Sequence, residues 1–218
     1  FSRNGRYEKE LYAGRASFGR SEPLRFTDWT VKAGVGYRFS PRHGLALDLA
    51  CGRRAPLAGD AFVSPRYRNE TVHGVGQERF LSGELGYRLD AGSVSLTLSL
   101  YGTLCSDGTQ VRRYYDDLAA LFCDMSVAGI GRLCLGIEAA AEMRLSYRWS
   151  LALAASVGRY RHIRDPLLTV LSDVDNTAVL THAAGRMAGC AVGGTPQTAA
   201  TAGVSYFGPK GWGGRLSA

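Results

Sequence analysis

The sequence predicts an all-β fold, an antiparallel up-and-down sheet of about eight strands that forms an open arc in the wall of a larger transmembrane β-barrel. Three observations predict it. Apolar and polar residues alternate with a period of two along repeated segments, short turns alternate with long connections, and charged residues keep to one parity of the segments. A period of two is typical of strands, because successive side chains point to opposite faces of a sheet.

The composition agrees with strands and turns. The 218 residues include 28 Gly and 11 Tyr but only 7 Pro, and 45% are hydrophobic. No run of about 18 apolar residues is present, which excludes a transmembrane helix. The mean hydropathy is −0.09. A barrel strand has such an average value because its lipid-facing and lumen-facing residues cancel.

The strands are predicted in four hairpins. Each has alternating apolar residues on both sides of a short turn, and three of the four turns are rich in Gly, Pro, Asp or Ser. The paired segments are 29–39 with 45–52, 81–89 with 94–101, 133–147 with 149–158, and 200–206 with a strand that begins near Trp212. In the third hairpin, Arg148 is predicted to turn the chain.

Long connections without sustained periodicity separate the hairpins, at about 54–79, 106–132 and 161–194. An arm, residues 1–25, precedes the sheet in a loop region on the extracellular side, and residues 26–218 form one barrel domain. Short turns on one side and long loops on the other are typical of a transmembrane barrel, with the short turns in the periplasm.

Charge parity predicts which face meets the lumen. A charge at mid-bilayer on the lipid face costs roughly 2–4 kcal/mol. The charged strand residues all have the parity opposite to the apolar set and are therefore predicted to face the lumen: Lys32, Arg38, Asp48, Glu84, Arg88, Glu138, Glu142 and Arg144.

Aromatic residues cluster beside the short turns, on the apolar parity. Tyr and Trp settle at the headgroup level of a bilayer because one end of the ring system is apolar and the other is polar. The predicted aromatic girdle consists of Tyr37, Phe39, Tyr87, Tyr147, Trp149 and Tyr206.

Four segments have a combined pattern that resembles the carboxy-terminal barrel of a TonB-dependent outer-membrane receptor of the Bacteroidetes type. They are FVSPRYRN (62–69), ELGYRLD (84–90), YYDD (114–117) and GTPQTAATAG (194–203). The resemblance implies a location in the outer membrane and a barrel of about 22 strands around an amino-terminal plug. It also implies that energy relayed by TonB drives import of a scarce nutrient.

Under this resemblance the chain is a barrel fragment without plug or coupling box. The expected partners are outer-membrane lipid and lipopolysaccharide, TonB through the plug, a small-molecule or oligosaccharide ligand, and a surface lipoprotein. Loops at the barrel mouth would bind the ligand, because loops commonly carry binding residues. The candidate loop residues are Arg66, Arg68, Arg112, Arg113, Tyr114, Tyr115, Asp116 and Asp117.

A complete eight-stranded barrel that acts as an anchor or adhesin is the main alternative, and pairing of the first strand with the last would indicate it. A soluble β-sandwich would bury the leucine-rich apolar face of the strands against a second sheet. The sequence contains no nucleophile motif that would indicate an enzyme, and no cofactor is predicted. The net charge of +7 does not indicate nucleic-acid binding, because the basic residues form no stripe.

Metal binding is not predicted either. Asp173, Asp175 and Asn176 have calcium-like spacing but lack the Gly and the distal Glu of an EF-hand. The five cysteines contain no C-x-x-C pair, and they are interpreted as buried free thiols.

Overall fold

The computed structural model describes residues 4–6, 18–64, 69–172 and 178–218. Within them the chain is almost entirely antiparallel β structure, with two short 3-10 turns at Ala58–Asp60 and Pro209–Gly211. Neither of these helical segments is long and apolar enough to cross a membrane. The strands are β1 (Asn4–Arg6), β2 (Phe18–Arg20), β3 (Trp29–Ser40), β4 (His43–Arg54), β5 (Glu78–Asp90), β6 (Val94–Asp116), β7 (Leu121–Arg144), β8 (Trp149–His162), β9 (Leu167–Ser172), β10 (Ala178–Ala184), β11 (Thr198–Phe207) and β12 (Gly213–Ser217).

The main sheet is an open arc. Its strands follow the order β12-β11-β8-β7-β6-β5-β4-β3, so β3 and β12 lie at opposite ends and do not pair. These are the eight predicted strands, and the predicted fold class is confirmed. The closed eight-stranded barrel is wrong for the described residues, because closure requires the first strand to hydrogen-bond to the last.

One face of the sheet exposes apolar side chains in continuous rows. At its centre, six residues lie directly opposite one another across six strands. Their exposed fractions range from 40% to 65%, in the row Val35, Leu47, Leu85, Leu100, Ile137 and Val157. No second sheet covers this face in the described part of the chain, so the sandwich alternative is wrong as well. A row of exposed aliphatic side chains suits contact with lipid.

The connections lie on two sides of the sheet. The turn side has the short turns 41–42, 91–93, 145–148 and 208–212, and the loop side has the long connections. The buried apolar residues of the described chain lie in the loop-side segments between Ala61 and Leu171. Val63 and Val72 of the first connection pack there with Ala128 of β7 and Leu171 of β9. The loop side is therefore a folded layer with a small core of its own.

Two predicted boundaries are wrong. The segment 106–132 is a continuation of the hairpin, because β6 runs to Asp116 and β7 starts at Leu121. The third hairpin turns at 145–148, so that Tyr147 lies in the turn and not in a strand. In addition, the connection 161–194 contains β9 and β10, and β9 extends the sheet by pairing with the outer part of β7.

Candidate functional site

The polar face of the sheet, opposite the leucine rows, carries all eight charged residues predicted to meet the lumen. The strand register places them on this one face. Asp48 of β4 and Glu84 of β5 are direct cross-strand partners. Ser99 of β6 donates a hydrogen bond of 2.8 Å to Glu84 Oε1. Arg38 and Arg88 lie in one row on either side of Gly44.

Between these charged pairs the polar face forms a recess of about 500 Å³. Its floor consists of small residues, Gly36, Gly44, Ala46 and Gly86, which leave the sheet backbone uncovered. The arginine pair bounds one end and the carboxylate pair bounds the other. Such a recess offers separate donors and acceptors to a polar surface that lies against it.

On the loop side, the polar face ends in a cluster centred on Glu78. The Glu78 side chain is only 9% exposed, and it forms ion pairs with Arg54, at 2.5 Å, and with Arg132. Together with Asp60 and Thr109, these residues line a cavity of about 290 Å³. Asp60 is held in place because its Oδ1 accepts a hydrogen bond of 2.8 Å from the Val111 amide. The Thr109 hydroxyl is buried without a partner among the described residues.

The tip of the long β6–β7 hairpin carries the predicted ligand residues, but it does not bring them together. Alternation along β6 places Arg113 and Tyr115 on one face and Arg112, Tyr114 and Asp116 on the other. Asp117 lies in the turn that follows β6.

On the first face, the Arg113 guanidinium lies 5.1 Å from the centroid of the Phe122 ring. Tyr115 contacts the same ring edge-on, with the ring centroids 5.1 Å apart. Tyr115 and Phe122 are each 49% exposed. These three residues, Arg113, Tyr115 and Phe122, form a cation-aromatic patch in which the two rings are half exposed and the arginine is partly buried.

The second face of the tip has a structural role. Asp116 Oδ1 accepts hydrogen bonds from the Leu118 and Ala119 amides, at 3.0 and 3.1 Å, and so closes the turn. Burial raises the pKa of Tyr114, and it also raises the pKa of the neighbouring Cys123 thiol. Both groups are therefore neutral at physiological pH.

The predicted girdle lies at the turn side and forms two ring clusters. Phe39 stacks on His43, whose Nδ1 lies 2.7 Å from the Tyr87 hydroxyl oxygen. Tyr37 stands beside this cluster and is 69% exposed.

The second cluster comprises Trp149, Tyr206 and Trp212. Ring centroids are 4.7 Å apart from Trp149 to Tyr206 and 5.2 Å apart from Tyr206 to Trp212. Tyr147 projects from the adjacent turn and is 84% exposed. Both clusters suit the headgroup region of a bilayer, where amphipathic rings are favoured.

Comparison with known proteins decides the family. The family model described as TonB dependent receptor-like, beta-barrel, matches residues 3–218 of the chain. The chain belongs to this family. No curated protein and no solved structure gives a significant match. Proteins of the TonB-dependent receptor family are outer-membrane receptors and transporters that act with TonB and a ligand.

Some predicted residues of this TonB-dependent receptor barrel lie outside the described residues. They are Arg66 and Arg68, and the calcium-like segment with Asp173, Asp175 and Asn176. Across the residues that the structure does describe, no three His, Cys, Asp or Glu side chains are grouped closely enough to hold a metal ion.

Sequence reasoning missed the cluster of Glu78, Arg54 and Arg132. A signal for it was present, because Glu78 lies six residues before Glu84 in β5 and so has the same parity. Phe122 was not predicted as a site residue, because it lies in the segment 106–132 that was interpreted as a loop.

Proposed function

We propose that the chain forms part of the wall and mouth of an outer-membrane receptor that takes up a scarce nutrient. The nutrient is a metal chelate, a vitamin or an oligosaccharide, and uptake uses energy coupled through TonB. The observation that carries the proposal is the two-faced sheet, with exposed apolar rows on one face and a small-residue polar recess on the other. This arrangement suits a wall between lipid and an occupied lumen.

The arc belongs to a larger barrel in this proposal, since an open sheet in a bilayer leaves backbone groups unpaired at its edges. Further strands would pair with β3 and β12, and a plug would lie against the recess bounded by Arg38, Arg88, Asp48 and Glu84. Residues 1–25 would belong to the extracellular loop region. The Bacteroidetes type stays a prediction from the sequence.

At the mouth, we assign ligand contact to two places. The patch of Arg113, Tyr115 and Phe122 offers two half-exposed rings, with the partly buried Arg113 guanidinium against one of them, near the tip of the β6–β7 hairpin. The cavity around Glu78 offers polar groups further in, toward the lumen. A polar ligand would meet the patch first and the cavity second. Arginines of the loop side would also contact lipopolysaccharide phosphates or a surface lipoprotein. The chain would supply binding and passage without catalysis.

Uptake by cells that carry the receptor tests the proposal. The probes are labelled cyanocobalamin, a ferric catecholate chelate and a maltose oligomer, one for each nutrient class. We expect one probe to accumulate only when TonB is present. Accumulation of that probe should fall several-fold in the variant Tyr115→Ala. The matched control is Leu118→Ser, at the same hairpin tip, where the side chain is 100% exposed. Uptake of all three probes that is independent of TonB would refute the proposal.

A further inference from the structure

Two neighbouring turns each present a cation beside the second ring cluster. Arg148 ends the turn between β7 and β8, and Lys210 lies in the turn between β11 and β12. The turns are adjacent because β8 pairs with β11, with Trp149 opposite Tyr206. Just beyond that pair, the Phe207 amide donates a hydrogen bond of 2.7 Å to the Arg148 carbonyl. The two cations therefore flank one short edge of the sheet.

The rings below the cations lie on the apolar face. Trp149, Tyr206 and Trp212 lie side by side across β8, β11 and the start of β12, with interplanar angles of 53° and 50° between successive rings. Trp149 and Trp212 are 46% and 61% exposed. These rings form an apolar shelf directly under the two turns, at the level where amphipathic aromatics meet headgroups.

Both cations are available to a ligand. The Arg148 guanidinium lies 4.9 Å from the centroid of the Tyr147 ring. Lys210 is exposed at a backbone φ of +70°. Within the described residues, neither cation forms an ion pair with a carboxylate. Neither turn contains an acidic residue, so the two turns themselves carry only positive charge.

We infer that Arg148 and Lys210, with the Trp149, Tyr206 and Trp212 shelf, bind the headgroup of an anionic phospholipid. The phosphate would lie between the two cations and the acyl chains would lie along the rings. The charge and the apolar shelf together favour this ligand. A soluble anion would contact the cations but lacks acyl chains for the shelf, and a lipid without net charge would contact the shelf but is attracted less strongly by the cations. The inference rests on the proposed function, because it requires the sheet to lie in a bilayer.

The turn between β5 and β6 provides a contrast. It consists of Ala91, Gly92 and Ser93 and contains no cation. The Gly92 carbonyl there accepts a hydrogen bond of 2.7 Å from Arg144, which belongs to the polar face. The turn between β3 and β4 contains Arg42 at the far end of the sheet, and it serves as the control position.

Quenching of tryptophan fluorescence by brominated lipids tests the inference. The chain has three tryptophans, and Trp29 lies at the loop-side end of β3. A Trp29→Phe background therefore restricts the signal to Trp149 and Trp212. The chain is reconstituted as part of the receptor barrel, in which tryptophans outside these 218 residues are likewise replaced by phenylalanine. The vesicles are phosphatidylcholine with a minor fraction of brominated phosphatidylglycerol or, in parallel, brominated phosphatidylcholine.

We expect the phosphatidylglycerol to quench more strongly, because two cations enrich an anionic headgroup roughly thirtyfold over a zwitterionic one. High salt should weaken the preference. The double variant Arg148→Gln with Lys210→Gln should lose the preference and retain quenching by brominated phosphatidylcholine, which shows that it is inserted. The variant Arg42→Gln should keep the preference.

Two results would overturn the inference: equal quenching by both lipids in the parent chain, or an unchanged preference in the double variant. Absence of quenching by either lipid would instead contradict the membrane-embedded sheet, and with it the proposed function. The two failures are therefore distinguishable.

Discussion

The phenol oxygens of Tyr101 and Tyr160 are hydrogen-bonded to each other across the polar face of the sheet. Tyr101 belongs to β6 and Tyr160 to β8, with β7 between them. Their rings lie over Gly136 and Gly158, which are direct cross-strand partners. A glycine in a strand interior permits such a close approach because it has no side chain. The two rings thus cover a stretch of wall that would otherwise be bare backbone.

The glycine under the first ring predicts a steric effect. A Cβ at Gly136 would come within 2.8 Å of Tyr101 Cε1. We expect Gly136→Ala to lower the free energy of unfolding by about 1–3 kcal/mol, as overpacking does elsewhere. Urea unfolding in lipid vesicles measures the change. The control is Gly86→Ala, where the nearest atom would be the Ala46 carbonyl oxygen at an ordinary 3.9 Å. Equal losses in both variants would contradict the steric explanation.

A new charge on β4 is predicted to destabilise the protein much more on the apolar face than on the polar face. Leu47 lies in the central apolar row, and Ala46 lies on the polar face between Gly36 and Gly86. We expect Leu47→Arg to cost roughly 2–4 kcal/mol, because it places a cation at mid-bilayer. Ala46→Arg, one residue away, should cost much less. Urea unfolding and the yield of inserted protein check both. Similar costs would mean that the leucine face does not meet lipid.

The sequence was sufficient to predict the strands that we expect to cross the membrane. In β3 to β5 one face meets an apolar environment and the other a polar one, so the period of two is unbroken. It was insufficient for the outer parts of β6 and β7, where β9 pairs with β7 and the first connection packs against Ala128. Residues of both parities are buried in this part of β7, among them Cys123, Asp124 and Ser126, so the alternation is lost. Irregular pairing near Gly108 and Gly129 also shifts the parity, and Gly129 has a φ of +81°.

The misplaced third turn has a local cause. Leu145 and Tyr147 continue the apolar parity of β7, although the chain has already turned. The Ser146 hydroxyl accepts hydrogen bonds of 3.2 Å from the Arg148 and Trp149 amides and fixes the turn. Periodicity does not report such side-chain capping. The candidate sites were predicted only as residue classes, because the pairing of Glu78 with Arg54 and Arg132 depends on strand register.

The Glu78 cluster predicts a larger loss than an ordinary surface ion pair. Removing the carboxylate in Glu78→Ala leaves Arg132, which is 34% exposed, without its anion. We expect the free energy of unfolding to fall by about 1–3 kcal/mol. The control Arg79→Ala removes a more exposed pair with Asp107, at 60% and 31%, and should cost less than about 1 kcal/mol. If the control costs as much as Glu78→Ala, the cluster has no special role in closing the cavity.

Asp165 predicts a pH dependence of the loop side. Its Oδ1 accepts hydrogen bonds of 2.8 Å from the Met187 and Ala188 amides, and these bonds hold the pKa of the carboxyl below its usual value of 3.8. A lowered pKa in the folded state stabilises the loop at neutral pH, and the stabilisation is lost below pH 3.8, as the pH falls through the lowered pKa of the folded state. Fluorescence anisotropy of a dye on Cys190 should therefore stay constant down to pH 3.8 and fall only at lower pH.

Asp165→Ala should lower that anisotropy already at neutral pH, whereas Asp117→Ala, at the hairpin tip, should not. Anisotropy that follows the same pH profile in the parent and in Asp165→Ala would show that another group controls the loop.

Cysteine labelling tests which side of the membrane the folded layer occupies. Cys190 is exposed in the third connection, so the predicted burial of the cysteines is wrong for this one, whereas Cys123 is 0% exposed in the outer part of β7. Burial also raises the pKa of the Cys123 thiol, which further reduces its thiolate fraction. We expect a membrane-impermeant maleimide to label Cys190 on intact cells and to spare Cys123 until the protein is unfolded. The control is Cys190→Ser, which should remove the rapid labelling. Labelling of Cys190 only after the outer membrane is permeabilised would place the long connections in the periplasm and invert the proposed orientation.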